Sequence, residues 1–375
     1  MKVLFVITGL FPGGAEKIVL EMVRSLLKAG HQTAVVSLQK EPQQGVRTIV
    51  DQLEQLGVRP YFLDLSGFRF FRIFSLLRII RTEAPDIVHS HLMHANLAAR
   101  LIRLFSRFTL VNTIHIAERR TNLKVRLLFW LDRLSFRLAD VCTAVSSAAA
   151  RFHEQRCGLP EGSVRVIYNG SDPVRPKSPA DIVAMKRQWG LDHADKIIGS
   201  VGRLDYQKGY DLFLMSLPCL AQLIPAGEHW AILLIGDGPE REKLAKQAAV
   251  IEQNFPMLRI VLPGYLPDAA AWLPVLDLFV MPSRYEGFGL TLTEALSFGI
   301  PALCSPADSL PELCAWSPKN TLTADFTGPD LTEVYRKALL LPKLPGKLFR
   351  STGQMTDEYL TLYQEFLQNR RRQDK

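Results

Sequence analysis

Four residues in the C-terminal half of this sequence have types and spacing that could do chemistry. Arg203 and Lys208 share the run Val201-Gly202-Arg203-Leu204-Asp205-Tyr206-Gln207-Lys208-Gly209. A guanidinium can grip a diphosphate through two N–H groups, and an ammonium in the same loop adds a point charge, so together they would stabilise a departing diphosphate. Solvated cations at a strand exit would have the same spacing. Glu286 and Glu294 bracket the run Glu286-Gly287-Phe288-Gly289-Leu290-Thr291-Leu292-Thr293-Glu294. Glu286 precedes a glycine-rich turn that would send its carboxylate into a cleft, and Glu294 falls about one turn into the helix that follows. Carboxylates at two depths of one cleft can hold hydroxyls on two different rings, or they can simply be a loop charge and a helix-face charge.

The elements that must position these groups follow from short apolar runs alternating with helical periodicity. That pattern belongs to parallel sheets built from strand–helix–strand crossovers. Strands are expected near 2–8, 32–38, 86–90, 109–114 and 141–145. A second series is expected near 196–202, 230–236, 258–263, 277–281 and 301–304. Ile18, Val19, Met22, Val23, Leu26 and Leu27 form one apolar stripe of a first helix that Gly30 ends. The turn-rich stretch Asn169-Gly170-Ser171-Asp172-Pro173 divides the series, predicting domains at 1–170 and 171–352. From 353 to the end the sequence reads as an amphipathic helix, with Tyr359, Leu362, Tyr363, Phe366 and Leu367 on one face, long enough to return to the first domain.

Each half opens on a strand, a glycine turn and a helix, an arrangement that points backbone N–H groups at a phosphate. In the first half the turn is Gly9-Leu10-Phe11-Pro12-Gly13-Gly14-Ala15-Glu16. It is not an intact G-x-G-x-x-G, and the chain has no G-K-[ST], so nicotinamide and P-loop readings lack their fingerprints. The chain also has no D-x-D pair, leaving a metal-dependent way of neutralising a diphosphate without obvious ligands. No metal site and no cofactor beyond a co-substrate are expected.

Composition narrows the class further. The chain of 375 residues is 47% hydrophobic and 22% charged, as ordinary globular proteins are. Its five cysteines are scattered without metal or disulfide spacing, which reads as small buried residues in a reducing compartment. No apolar run reaches spanning length. Residues 1–170 hold 18 Arg and 5 Lys against 13 acids, a net +10, while the remainder carries −2. The first half should therefore face something anionic.

In order and spacing, these motifs resemble the retaining GT-B glycosyltransferases of family four, the glycosyl transferases of group 1. The resemblance covers most of the chain. It rests on Gly13-Gly14-Ala15-Glu16, Asp86-Ile87-Val88-His89-Ser90-His91, Thr113-Ile114-His115, Asn169-Gly170-Ser171-Asp172, Gly202-Arg203-Leu204 with Lys208-Gly209, Gly236-Asp237-Gly238-Pro239-Glu240, Pro282-Ser283 through Glu294-Ala295, and Gly299-Ile300-Pro301. It implies an α/β fold of two Rossmann-like domains whose parallel sheets face a central cleft. It further implies that Arg203 and Lys208 bind the donor diphosphate and Glu294 the ribose. Glu286, with the backbone of Gly287, Phe288, Gly289 and Leu290, would hold the transferred sugar. Gly236, Asp237, Gly238, Tyr265 and Leu266 would flank the base, Gly13 and Gly14 would approach the phosphates from the other domain, and His115 would lie near the sugar. His89, His91 and His94 keep a structural reading. The chemistry implied is front-face displacement with retention, independent of metal, in which the leaving phosphate accepts the acceptor's proton. Two departures put backbone contacts in doubt: Ser305-Pro306-Ala307-Asp308-Ser309-Leu310-Pro311-Glu312 stands where a glycine pair is usual, and Ser317-Pro318-Lys319-Asn320 replaces a glycine-rich turn.

The acceptor side should belong to the basic first domain. Residues 59–137 hold 13 Arg and 1 Lys against five acids, and the stretch from Phe68 to Arg81 is aromatic and cationic with polar positions every third residue. A partly buried helix is expected there. With Arg100, Arg103, Arg107, Arg119 and Arg120 it would dock on anionic lipid headgroups and bring a lipid-linked or glycan acceptor to the cleft. Nucleic acid fits less well, because aliphatic residues fill the spaces between the arginines. The expectation is a cytoplasmic transferase, peripheral on the inner face of the plasma membrane, using a nucleotide-sugar donor (UDP-sugar favoured) in surface polysaccharide or glycolipid assembly. A nucleotide-sugar epimerase on the same fold and a non-catalytic nucleotide-sugar-binding scaffold are the alternatives.

Overall fold

The structure, a computed structural model, describes residues 1–43, 46, 48–65, 67–115 and 123–373. The chain forms two compact units, Met1–Gly170 with Arg350–Lys375, and Ser171–Phe349. The terminal segment thus joins the first unit from Arg350, three residues before the expected boundary.

The first unit runs β1 (Lys2–Ile7), α1 (Gly14–Lys28), β2 (Gln32–Ser37), α2 (Val50–Gln55), β3 (Tyr61–Phe62), α3 (Ile73–Glu83) and β4 (Ile87–His91). It continues α4 (Met93–Arg103), β5 (Thr109–Ile114), α5 (Leu123–Ser135), β6 (Val141–Ala144), α6 (Ser147–Cys157) and β7 (Arg165–Val166). Among the described residues its sheet has seven strands, all parallel, in the order β3-β2-β1-β4-β5-β6-β7. The central strands β1, β4 and β5 are buried along nearly their whole length because crossover helices cover both faces of a parallel sheet. Val3 to Ile7 are fully buried.

The second unit runs α7 (Pro179–Gln188), β8 (Lys196–Val201), α8 (Tyr210–Ala221), β9 (Trp230–Ile235), α9 (Arg241–Asn254), β10 (Leu258–Gly264) and β11 (Leu278–Met281). After these come α10 (Leu290–Ser297), β12 (Ala302–Cys304), α11 (Leu310–Cys314), β13 (Thr321–Thr323) and α12 (Leu331–Leu339). Its six parallel strands are ordered β10-β9-β8-β11-β12-β13. In both sheets the strand order reverses beside the first strand of the unit, between β1 and β4 and between β8 and β11. Ligands of open α/β sheets bind outside the carboxyl ends of the strands at such a point.

The last helix, α13 (Thr352–Gln373), packs in the first unit against α1 and β5. Met355, Tyr359, Leu362 and Tyr363 are its buried face. The approach is tight at its start: a Cβ on Gly170 would collide with the Ser351 backbone, and the Gly170 N–H reaches the Met355 sulfur at 3.3 Å.

Local structure departs from expectation in two places. The cationic stretch is a 3₁₀ segment over Gly67–Arg72 followed by α3, not one α-helix. A three-residue polar repeat stacks on one side of a helix with three residues per turn, and both Arg69 and Arg72 pair there with Asp64. Arg100, expected on a lipid-facing surface, is fully buried on α4. Its guanidinium pairs with Asp132 of α5 and donates to the Asn112 side chain at 2.6 Å. Arg103 pairs with Asp140. Arg119 and Arg120 lie outside the described residues.

Candidate functional site

In the second unit the expected donor residues gather at the β8/β11 switch point. The loop leaving β8 carries Gly202 to Gly209. Asp205 caps a short 3₁₀ turn by accepting the Lys208 N–H at 3.2 Å, and it also pairs with the Arg203 guanidinium. Arg203 is otherwise open, with 66% of its side chain exposed. Gly209 has φ +65, and a Cβ there would collide with the Pro282 carbonyl. This close approach presses the β8 loop onto the loop leaving β11.

Between the two loops the Lys208 ammonium meets the Glu286 carboxylate at 2.6 Å. Ser283 adds a hydroxyl at 3.4 Å from the same carboxylate oxygen. The loops are further laced by Gln207, which donates to the Tyr285 carbonyl at 3.1 Å, and by Arg284, which forks onto Asp211 at 2.7 and 2.8 Å while lying over the Tyr206 ring.

The remaining donor-side positions fall around this pair. Gly236 (φ +151) and Gly238 lie against the β8 loop so closely that a Cβ on either would collide with a carbonyl, of Gly202 and of Leu204 respectively. Leu204 N–H donates to the Asp237 carbonyl at 2.9 Å. Asp237 itself is exposed, and Tyr265 and Leu266 follow Gly264 at the end of β10, whose carbonyl accepts the Gly236 N–H at 2.9 Å. Gly287, Phe288 and Gly289 are buried, and Gly289 caps α10 in the left-handed conformation at φ +98. Leu290 begins that helix, and Glu294 is buried one turn into it.

The missing glycine pair has a structural replacement that sequence reasoning did not foresee. Asp308 takes a left-handed φ of +43 and its carboxylate accepts the Glu286 N–H at 2.9 Å. The fully buried Ser309 hydroxyl bonds the carbonyls of Glu286 and Phe288, at 3.2 and 2.8 Å. Side chains thus pin the strap that carries Glu286. Likewise the buried Asn320 donates to the carbonyls of Gly299 and Ile300, anchoring the second altered turn. A non-glycine residue where a left-handed turn is expected was the available signal.

His115, Gly13 and Gly14 are built into the first unit. Gly13 and Gly14 are exposed at the start of α1, with the Glu16 carboxylate folded back against Gly13. His115 follows β5 and its Nε2 lies 2.8 Å from His91 Nδ1. His89 sits between the Tyr363 hydroxyl and the Thr113 hydroxyl, each at 2.6 Å. Burial pushes the His115 imidazole down to about 3. Burial also holds His89 and His91 well below the usual range, and neighbouring imidazoles add to the effect. All three are neutral rings. His94 is exposed on the first turn of α4.

Among the described residues one group could hold a metal ion, Asp132, His153 and Cys157. It lies in the first unit. His153 Nε2 is 2.9 Å from Asp132, and the Arg100 guanidinium already matches the carboxylate charge, so the group is a buried network tying α4, α5 and α6 together.

Comparison with known proteins agrees with this architecture. A model described as Glycosyltransferase Family 4 matches residues 12–175, and one described as Glycosyl transferases group 1 matches residues 195–337. Lipopolysaccharide core biosynthesis mannosyltransferase LpsB of Rhizobium meliloti is 34% identical over 42% of this chain, a stretch that spans only 44% of LpsB. The 2-deoxystreptamine N-acetyl-D-glucosaminyltransferase of Streptomyces fradiae is 26% identical over 77% of this chain and 73% of its own length. Anabaena HepE, solved in complex with UDP and glucose, superposes with a TM-score of 0.76 at 20% identity, covering 98% of this chain and 99% of HepE. The two parallel-sheet units are those of the GT-B fold. The chain belongs to the family-four, group 1 glycosyltransferases.

Proposed function

We propose that this protein is a retaining glycosyltransferase that moves a sugar from a UDP-sugar onto a lipid-linked or glycan acceptor in surface polysaccharide or glycolipid assembly. The observation that carries the reading is the cluster at the β8/β11 switch point, where Lys208 pairs with Glu286 and the exposed Arg203, held by Asp205, stands in the same β8 loop. The two cations are the groups that would take up charge as the C1–O bond to the diphosphate breaks. Glu286, held by Lys208, Ser283 and the Asp308–Ser309 strap, would bond hydroxyls of the transferred sugar. The acceptor oxygen attacks C1 on the face the diphosphate leaves, and the departing phosphate takes the acceptor's proton. Glu294 would hold the ribose, Gly236 to Gly238 with Tyr265 and Leu266 would flank the base, and Gly13, Gly14 and His115 would serve from the first unit. No cofactor or metal enters this scheme.

UDP as the carrier is supported by the bound UDP and glucose of HepE, and a lipid-borne acceptor by the lipopolysaccharide role named for LpsB. Work at the inner face of the plasma membrane, through the basic first unit, completes the reading. No helix among the described residues is long and apolar enough to cross a membrane, so contact would be peripheral.

The test is acceptor-free turnover followed by proton NMR on the purified chain with UDP-sugars of α configuration. Water then takes the acceptor's place, and the expected first product is UDP with the free sugar as its α-anomer, before mutarotation. A β-anomer appearing first would overturn retention, and a new nucleotide sugar would make the protein an epimerase.

A further inference from the structure

The helix α5 has two apolar faces, and only one of them is covered. Val125, Phe129 and Asp132 are buried against the unit. On the opposite side Leu127, Trp130, Leu131 and Leu134 recur at helical spacing and remain 54%, 55%, 39% and 62% exposed. A helix apolar on opposite faces is one that expects a second covering. Such a stripe is also larger than the isolated exposed leucines that globular surfaces tolerate.

Beside this stripe Arg126 and Arg133 of α5 and Arg156 of α6 line a hollow of about 590 Å³ with Phe129 and Trp130. Among the described residues none of the three arginines meets a carboxylate. Arg156 lies over the Phe129 ring at 5.0 Å, and Arg133 rests against Gly158, so both forks are positioned by apolar and backbone surface. Three guanidiniums around one hollow repel one another until an anion arrives. The opposite edge of α5 is fixed by the Asp132 network to Arg100 and His153, so the helix presents this face rigidly.

We propose that the α5–α6 hollow binds the phosphate of an anionic lipid headgroup, with the leucine stripe of α5 lying against the acyl boundary. This deepens the membrane-facing reading given above and rests on it. A phosphate matches the arginine forks geometrically, and the adjoining uncovered apolar stripe is what distinguishes a lipid from a soluble phosphate. A second copy of the chain fits less well, because a two-fold interface would set these arginines against their own images. Arg126, Arg133 and Arg156 therefore take the role that sequence reading gave to Arg100 and Arg103.

The experiment is co-sedimentation of the full chain with vesicles of phosphatidylcholine, alone or with phosphatidylglycerol. Wild type is expected to bind only the mixed vesicles, and Arg126→Gln/Arg133→Gln/Arg156→Gln to lose on the order of 100-fold in partitioning. Leu127→Ser/Leu134→Ser should lose affinity that low salt does not restore. Equal binding by the triple variant would overturn the proposal. So would competition by millimolar glycerol phosphate, which would mark a soluble-phosphate site, or preferential binding of a labelled oligonucleotide. Self-association abolished by the leucine variant would assign the stripe to a second copy instead. Thermal shift with UDP-sugars is read on each variant. A retained shift with unchanged vesicle binding sinks the lipid site alone, whereas a lost shift in wild type sinks the transferase reading.

Discussion

Replacing Lys208 with alanine is expected to lower kcat for sugar transfer by roughly 10²–10³-fold, the usual cost of removing one preorganised charge from a transition state. Its side chain is 20% exposed and that of Glu286 10%, with the ammonium 2.6 Å from the carboxylate. The interaction is therefore partly shielded from water, and it is there that a fixed charge counts most. Lys208→Ala also leaves Glu286 without its cation, so some loss of stability accompanies it. Glu286→Gln separates the two effects, because the amide keeps the shape and can still bond Ser283. It should retain the fold while turnover falls to a similar degree. Steady-state kinetics with thermal denaturation on both variants is the check. Either variant turning over as wild type does would remove that residue from the reaction.

A second large effect is expected from acid. His89, His91 and His115 are buried neutral, with His115 pushed down to about 3 and the other two well below the usual range. In the unfolded chain an imidazole takes its proton near pH ~6.5. Between that pH and about 3 the unfolded state therefore binds more protons than the native one, and stability rises with pH across the window. The stabilisation is complete above about pH 6.5 and is lost progressively as pH falls. Each histidine contributes about 1.4 kcal/mol per pH unit, so three together give about 4 kcal/mol per unit. Asp132, held down to about 2 by the His153 hydrogen bond and the Arg100 charge against the opposing effect of burial, loses its stabilising share only below the ordinary carboxylate range. The two windows are thus separable. Denaturant unfolding at pH 7, 6, 5 and 4.5 should show the free energy falling steeply from the first step below 6.5. A flat profile down to pH 5 would mean that the three rings are not neutral or not buried.

The reason these rings cannot easily accept a proton is visible in their surroundings. His89 faces the Tyr363 and Thr113 hydroxyls, and Tyr359 bonds both Thr113 and Thr143 at 3.2 Å. Among the described residues the buried His91 Nε2 has no hydrogen-bond partner. The described contacts of these rings are hydroxyls, aromatic rings and each other, and no carboxylate is among them. The tyrosines come from α13, so the terminal helix closes the interior that holds the histidines neutral.

Much of this architecture was legible in the sequence, because long strands buried on both faces leave unmistakable apolar runs. β3, β7 and β13, of two or three residues each, were not. The loops leaving β8 and β11 could be recognised from Arg203, Lys208, Glu286 and Glu294 because residue type and spacing both constrain them. Asp308 and Ser309 were legible only as a departure, since the role of a side chain replacing a glycine depends on what lies beside it in space. Arg100 misled for a related reason: an arginine among helix residues reads as solvated unless its partner is known, and Asp132 lies on another helix. A partial signal was present in Asn96 and Arg100, four residues apart on the buried face of α4.

Thermal unfolding of the full chain with UDP-, GDP- and ADP-sugars decides whether the β8/β11 cluster binds a nucleotide sugar, and which one. Occupancy at ~100 times Kd should stabilise the fold by about 2.7 kcal/mol. A UDP-sugar is expected to give a shift, and the shift to weaken in Lys208→Ala. A shift confined to GDP- or ADP-sugars would contradict the choice of donor, and no shift with any of them would contradict the transferase itself.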